Sequence, residues 1–424
     1  MKILMISPNR EEVNMRTWPL GLLCVAEATR RAGHEVRVLD LMQVDDPRSA
    51  LERVIRDFSL DLIGMSVRNI DDQSMKDTQF YLEEIKKVVD ECRRLSRAPV
   101  VLGGAGYSIF PEAALEYLTA DMGIQGEGEI AFIDLLRKME NKEDITDVPG
   151  LYVAGTGLQR DRVFARDLDA LPLPGADLTD LRGYDGPDFW LPVQTRRGCP
   201  MRCNYCSTAA IEGCAIRKRS PKEVVVWINT QVKSENRRFY FVDNIFNLPP
   251  SYAKSLCSEI ADARLDISWR AIVYPARIDE PLVAAMAAAG CKEVSLGFES
   301  GSPEILHVMN KRFDPDNVRQ ARELFARHNI AVMGFLLLGG PLETKKTAEE
   351  SLAFAESLNL DLLKVSVGIR IYPETALARS AVEDGIITAD DNLLLPRFYM
   401  VPGLEDWLRE TVQARAAGRP NWLV

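Results

Sequence analysis

Three cysteines crowd into eight positions: Cys199, Cys203 and Cys206, within the run Arg197-Gly198-Cys199-Pro200-Met201-Arg202-Cys203-Asn204-Tyr205-Cys206. Iron–sulfur clusters are held by thiolates, and three of them on one short loop leave one iron of a 4Fe-4S cube without a protein ligand. That open iron can chelate a substrate. The alternative is a closed zinc site completed by Cys214. Zinc loops favour a gap of about two to four residues within each of two cysteine pairs, whereas here three cysteines sit together and the fourth stands apart. Cys24, Cys92, Cys257 and Cys291 lie in apolar or helical segments and read as buried small hydrophobes. In a reducing compartment, eight cysteines are not a disulfide framework.

The elements that must position such a loop follow from periodicity. From Lys2 to about Lys138, short β-branched runs alternate with amphipathic ones. The strand candidates are Lys2-Ser7, Glu35-Asp40, Leu60-Ser66, Pro99-Leu102 and Asp121-Gln125, each followed by a helical stretch. This alternation predicts an α/β fold with a parallel, doubly wound (flavodoxin-like) sheet, which binds ligands at the carboxyl ends of its strands. Residues 144–186 predict a hairpin, Gly150-Val153 with Val163-Ala165, and then a linker in which Ala170-Leu171-Pro172-Leu173-Pro174-Gly175 cannot be helical. From Leu191 the alternation resumes, with strand candidates Leu191-Thr195, Arg238-Val242, Ile267-Val273, Glu293-Leu296, Ala331-Leu338 and Leu362-Ile369, and with helices such as Pro281-Ala289 and Pro315-Arg327 between them. Six units suit an open, partial version of the eight-stranded barrel, a (β/α)6 arrangement. A helix over Leu404-Ala416 ends the chain and is expected to cover the barrel mouth. The expected domains are 1–143, 144–186 as hairpin and linker, 187–385, and a helical tail over 386–424.

A chain of 424 residues exceeds one ordinary core. Its 46% hydrophobic and 27% charged residues are those of a soluble globular protein. The net charge of -10 argues against a nucleic-acid groove, which needs clustered Lys and Arg. The short basic stretch Arg217-Lys218-Arg219 reads as a solvated or locally paired loop. The opening MKILMISPN lacks the length and cleavage pattern of a secretion signal, and no stretch approaches a membrane span, so a cytoplasmic location is expected.

The cysteine run resembles the cluster loop of the radical S-adenosylmethionine (radical SAM) superfamily. The resemblance implies that SAM's amino and carboxylate groups sit on the fourth iron, and that one electron from the cluster cleaves the sulfonium to a 5′-deoxyadenosyl radical. Tyr205, before the last cysteine, belongs to this cofactor loop. Phe241-Val242-Asp243-Asn244 resembles the segment that holds the SAM amino group, which implies Asp243 as acceptor. Gly297-Phe298-Glu299-Ser300-Gly301-Ser302 is close to the ribose- and carboxylate-contacting signature, which implies Glu299 on ribose hydroxyls and Ser300 on the carboxylate. Taken alone, Gly-Ser turns after strands are common, and Ser302 before Pro303 reads as an N-cap. Gly339-Gly340-Pro341-Leu342-Glu343-Thr344 resembles the adenine-side segment, although Gly334 lies one residue farther off than in the family pattern; Glu343 also suits a helix start.

The first domain resembles the cobalamin-binding domains that precede many radical SAM enzymes. Their landmarks are a DxHxxG loop, an SxL and a GG; here the places hold Ser7-Pro8-Asn9, Ser66-Val67-Arg68 and Gly103-Gly104-Ala105-Gly106, and Gly126-Glu127-Gly128-Glu129 also matches this branch. The histidines are His34, His307 and His328, none of them in the first loop, which excludes imidazole ligation of cobalt from that loop. Arg68 and Asn69 are instead placed to face the corrin, a cationic and non-coordinating neighbour. The resemblance implies a cobalamin-dependent radical SAM methyltransferase acting on an unactivated carbon or phosphorus centre of a small molecule. One SAM methylates cobalt(I), and a second gives the radical that takes hydrogen from substrate, which then takes the methyl group from methylcobalamin. A flavodoxin- or ferredoxin-type protein would supply the electron. Oxidation, cyclisation or ring rearrangement with the same cofactors is the alternative; a non-catalytic cobalamin carrier or sensor is a third reading. Tyr274, Arg370 and Tyr372 follow barrel strands and could line the cavity or pack. Anaerobically reconstituted protein is expected to show iron–sulfur charge-transfer absorbance in the visible region; a colourless protein would leave the zinc site as the reading of the loop.

Overall fold

The computed structural model describes every residue except 13–15, 176, 179, 180, 182, 185, 187 and 188. Five of these, 176, 179, 180, 182 and 185, belong to the expected linker, which to that extent lies outside the described residues.

β1 (Lys2–Ser7), β2 (Glu35–Asp40), β3 (Leu62–Ser66), β4 (Val100–Gly103) and β5 (Met122–Ile124) form a parallel sheet. β6 (Leu151–Val153) and β7 (Gly157–Leu158) add an antiparallel edge, giving the order β2-β1-β3-β4-β5-β6-β7. The central strands are continuous apolar runs because helices cover both faces: Ile3, Leu4, Met5 and Ile6 in β1 and Leu62, Ile63 and Met65 in β3 are all buried. The strand order reverses around β1, so the crevice where such sheets bind ligands lies between the ends of β1 and β3, at Ser7–Asn9 and Ser66–Asn69. The hairpin corrects the sequence expectation. Its second strand is Gly157–Leu158, because Gly155 and Gly157 at φ +78° and +73° turn the chain directly after β6, and 163–165 is not a strand.

β8 (Leu191–Val193) opens the second sheet, and β9 (Arg196–Arg197) pairs antiparallel with β10 (Arg217–Lys218) at its end. β11 (Arg238–Phe241), β12 (Ser268–Val273), β13 (Cys291–Glu299), β14 (Ala331–Leu338) and β15 (Leu362–Val367) follow in parallel register. Along these strands burial alternates with period two. Phe239, Trp269, Val294 and Val332 pack in the core with helix residues such as Leu256, Leu282 and Phe325, while Tyr240, Arg270 and Ser295 occupy the opposite, inner face. The helix after β10, Pro221–Lys233, is pinned to the linker by the Trp227 indole, which donates to the Pro174 carbonyl at 2.9 Å. Arg219, the last residue of the basic stretch, donates to the Leu168 and Leu171 carbonyls, so the locally paired reading of that stretch holds.

After β15, β16 (Ile369–Arg370) and β17 (Phe398–Tyr399) form a two-stranded ribbon. The intervening segment joins the first domain's core: Ile369, Ile371, Leu377, Leu393 and Leu394 share a cluster with Val67, Ile70, Leu82 and Phe110. Arg370 is therefore no cavity residue. Its guanidinium lies 2.9 Å from Asp71 and donates to the Ile371 and Leu393 carbonyls, with both partners of the pair almost wholly buried. Tyr274 accepts the Arg312 amide and meets Phe313 edge to face, and Tyr372 packs against Phe110. The terminal helix Glu405–Ala416 does not cover the barrel mouth. Leu408 and Val412 bury it in the barrel's core, it packs on the 345–357 helix and β15, and β18 (Trp422–Leu423) then pairs with β15 as a seventh strand. The 369–401 segment approaches the mouth instead, with the Leu377 amide donating to the Asn204 carbonyl in the cysteine loop at 2.9 Å.

Removing one partner of a buried pair leaves the other charge uncompensated. Arg370→Ala is expected to lower stability by about 3–5 kcal/mol in chemical denaturation, and Arg370→Met with Asp71→Leu to recover most of it.

Candidate functional site

The β9–β10 pair closes the loop that carries the cysteines. Gly198 starts it at φ +88°, where a Cβ would lie 2.1 Å from the Ala215 carbonyl oxygen, so no larger residue fits. The Cys199 amide donates to the Gly213 carbonyl and the Cys206 amide to the Cys203 carbonyl, at 3.1 and 3.2 Å. Asn204 and Asn310 tie the loop to the turn after the 303–308 helix: Asn204 donates to the Val308 carbonyl at 3.0 Å, and Asn310 to the Arg202 carbonyl at 2.7 Å. Burial raises the Cys199 thiol to about 11 and raises that of Cys203 as well. Among the described residues no set of three His, Cys, Asp or Glu is grouped to hold a single metal ion. Three partly buried thiols on one loop are the donor type that a four-iron cluster takes; it would bind through Cys199, Cys203 and Cys206 and supply the electron for sulfonium cleavage.

The structure divides the residues expected around SAM. Glu299, at φ +60° on the end of β13, and Tyr205 meet at Lys311, whose ammonium donates to the Tyr205 hydroxyl at 2.9 Å and to Glu299 at 3.1 Å. Burial opposes the Lys311 charge, but Glu299, Tyr205 and Cys203 outweigh it and hold its pKa well up. Nothing in the sequence pattern singled out Lys311, which sits in an ordinary turn, Asn310-Lys311-Arg312.

Asp243 is a correction. Its carboxylate is fully buried and already accepts the Thr195 amide and hydroxyl, at 2.6 and 2.5 Å, and the Arg196 amide and guanidinium, at 2.8 and 3.0 Å. It locks the start of the cysteine loop and has no lone pair turned to a ligand's ammonium. Ser300 is the second correction. Also fully buried, its hydroxyl meets Ser351 at 2.8 Å and accepts the Ser302 amide at 3.0 Å, so it seals a turn against the 345–357 helix. Gly339 turns at φ +94°, and its amide donates to Glu343. Glu343 precedes the Thr344 N-cap instead of opening the helix. Burial raises it to about 7, and its Oε1 has no hydrogen-bond partner among the described residues.

In the first domain, Ser66, Arg68, Gly103 and Gly104 border a cavity of about 320 Å³ shared with Gln194, Arg197, Ile211 and Glu212 of the second. Met5, Gly64, Val101 and Phe132 also line this cavity. A Cβ on Gly103 would meet only the Ile124 carbonyl oxygen, at 3.9 Å, leaving the wall open. On Gly104 it would lie 2.6 Å from the Val67 carbonyl oxygen, so that glycine serves the packing of two loops. A wall of glycine with apolar lining lets a bulky ligand approach the backbone closely. Arg68 is exposed and lines both this space and a second cavity of about 560 Å³, also lined by Asn69 and Tyr81, and no carboxylate pairs with it among the described residues. Desolvation lowers its pKa.

Gly126 and Glu127 line the same cavity, and their polar groups are engaged within the protein. The Gly126 amide donates to Ser108 at 2.9 Å, and the Glu127 carboxylate pairs with Arg217 and Arg197 and accepts the Ala165 amide at 2.8 Å. Glu212 was not legible in the sequence. It accepts the Gly198 amide at 3.0 Å, the Gln194 amide at 2.7 Å and the Asn244 amide at 2.5 Å, and burial raises its pKa.

Residues 6–136 match the B12 binding domain model and residues 193–355 the Radical SAM superfamily model. The chain belongs to the cobalamin-binding radical SAM family. An uncharacterized methyltransferase of Pyrococcus horikoshii is 28% identical over 91% of this chain and 84% of its own length. The tryptophan 2-C-methyltransferase of Streptomyces laurentii is 26% identical over 91% of this chain and 76% of its own. The structure of the radical S-adenosylmethionine methyltransferase TsrM from Kitasatospora setae, with cobalamin and a 4Fe-4S cluster bound, superposes with TM-score 0.88 at 22% identity, covering 100% of this chain and 92% of that one. The likeness extends the fold assignment to both domains of this cobalamin-binding radical SAM protein.

The raised Glu343 binds its proton more tightly in the folded than in the unfolded chain. Its contribution to stability is present below its ordinary value of 4.5 and is lost as pH rises toward about 7. Glu343→Gln is expected to flatten that fall in thermal unfolding and to raise the midpoint at pH 8, by the equivalent of roughly 1–3 kcal/mol.

Proposed function

We propose that the protein transfers a methyl group, by way of cobalamin and SAM, to an unactivated carbon or phosphorus centre of a small molecule, with the cluster re-reduced by a flavodoxin- or ferredoxin-type protein. The reading is carried by one observation: the glycine loop at the carboxyl ends of the first sheet and the flanks of the cysteine loop border the same cavity. A group held by either domain therefore faces the other across a few side chains. Cobalamin would supply the methyl carrier, bound by the walls at Ser66, Asn69, Gly103 and Gly104.

The chain's own residues set the conditions. Arg68 places a cation at the cavity, and Ser7-Pro8-Asn9, which stands at the place of the family's DxHxxG loop, offers no imidazole. A cation beside the metal favours its more reduced, less positive state. Lys311 puts a second cation beside Cys203, holding Glu299 and Tyr205 in place. Glu299 is the acceptor offered to ribose hydroxyls. Gly339, turning beside the buried Glu343, is the adenine-side element. The relatives named as methyltransferases support methyl transfer over oxidation, cyclisation or rearrangement.

The test is product analysis of the holoprotein, reconstituted anaerobically with iron, sulfide and hydroxocobalamin and then given SAM and a low-potential reductant. Methyl transfer predicts both S-adenosylhomocysteine and 5′-deoxyadenosine. 5′-Deoxyadenosine alone would favour the oxidative or rearranging alternative, and uncleaved SAM over an intact cluster would contradict both. Arg68→Ala is expected to weaken cobalamin binding and change the cobalt(II) spectrum; if neither changes, Arg68 plays no part at the corrin.

A further inference from the structure

The two acids of Gly126-Glu127-Gly128-Glu129 follow β5 at the carboxyl edge of the first sheet, yet neither carboxylate is free for a ligand. Glu129 receives the Arg197 guanidinium in fork geometry, Nη2 to Oε1 at 2.5 Å and Nη1 to Oε2 at 3.2 Å. Glu127 lies 3.4 Å from the same guanidinium and pairs with Arg217, which also donates to the Glu212 and Ala165 carbonyls at 2.7 and 3.1 Å. Arg197 is completed by Gln194 at 2.8 Å. The four side chains are at most 10% exposed. Arg197 and Arg217 are register partners in the β9–β10 pair that closes the cysteine loop, and Arg197 stands two residues before Cys199. Both strands at the base of that loop are thus held by the first domain.

Buried ion pairs are a poor way to add stability, since apolar side chains of the same size do as well. What a bidentate, desolvated pair adds is geometry: the fork accepts one orientation and one separation. Burial works against the Glu129 charge, and Arg197 outweighs it. We propose that Glu127 and Glu129 are positioning residues that set the distance between the cysteine loop and the corrin-side wall of the cavity, and so the separation of the two cofactors. The inference rests on the reading that both cofactors occupy this protein.

The experiment is electron paramagnetic resonance on the reconstituted holoprotein, comparing cobalt(II) spin relaxation with the cluster oxidised and with it reduced. A reduced cluster is paramagnetic and speeds relaxation at the cobalt by an amount that falls steeply with separation. The wild-type protein is expected to show this enhancement. In Glu129→Gln and Glu127→Gln it is expected to fall severalfold while cobalamin and iron content stay at wild-type levels, and Glu129→Asp, which keeps the charge, is expected to restore part of it. If either Gln variant fails to load, Arg217→Gln, which removes one arm only, is read in the same way and is expected to show the same fall. Loaded variants with wild-type enhancement would overturn the positioning role alone. A wild-type protein that loads both cofactors without enhancement would overturn the shared-cavity reading itself.

Discussion

Buried arginine–carboxylate pairs at two places hold the two domains face to face, and the proposed chemistry depends on them. On one side of the interface Arg370, brought by the ribbon after β15, meets Asp71 in the loop that follows β3 and carries Arg68. On the other, Arg197 and Arg217 at the base of the cysteine loop meet Glu129 and Glu127 after β5. A lone charge at any of these positions would be costly without its partner, so a shift of the domains by a side chain's length would leave buried charges unpaired. The cavity between them is therefore defined by electrostatics as much as by packing.

The same economy explains Asp243. A carboxylate with no exposed surface needs several donors, and Thr195 and Arg196 provide them at the point where β8 gives way to the cysteine loop. The residue that sequence resemblance offers to a ligand is thus spent on holding the loop. Ser300 is spent in the same way on the 345–357 helix. Positions close to a site can be retained for its scaffolding, and only burial and partner lists distinguish that from contact.

Much of the fold was legible because parallel strands announce themselves as apolar runs and their helices by period. β1, β2 and β14 fall where the β-branched runs place them, and the other core strands differ by a few residues at their ends. The short loop that carries Cys199, Cys203 and Cys206 was legible from their spacing. The rest was hidden for physical reasons. β18 is two residues long and takes its pairing from β15, so no local pattern marks it. The hairpin's second strand was misplaced because two glycines, not the later β-branched Val163, decide where the chain turns. Lys311, Glu212 and the Arg370–Asp71 pair join residues 12, 14 and 299 positions or so apart through tertiary contacts that no periodicity encodes.

On the proposed reading, cobalt and the iron cluster would stand on opposite sides of a single interdomain space. The most direct measurement is anomalous diffraction at the cobalt and iron absorption edges from crystals of the reconstituted holoprotein. One cobalt peak in the cavity beside Arg68 and Gly103, with an iron peak at Cys199, Cys203 and Cys206 across from it, is the expected result. A cobalt peak elsewhere on the chain, or iron bound away from those three sulfurs, would contradict it.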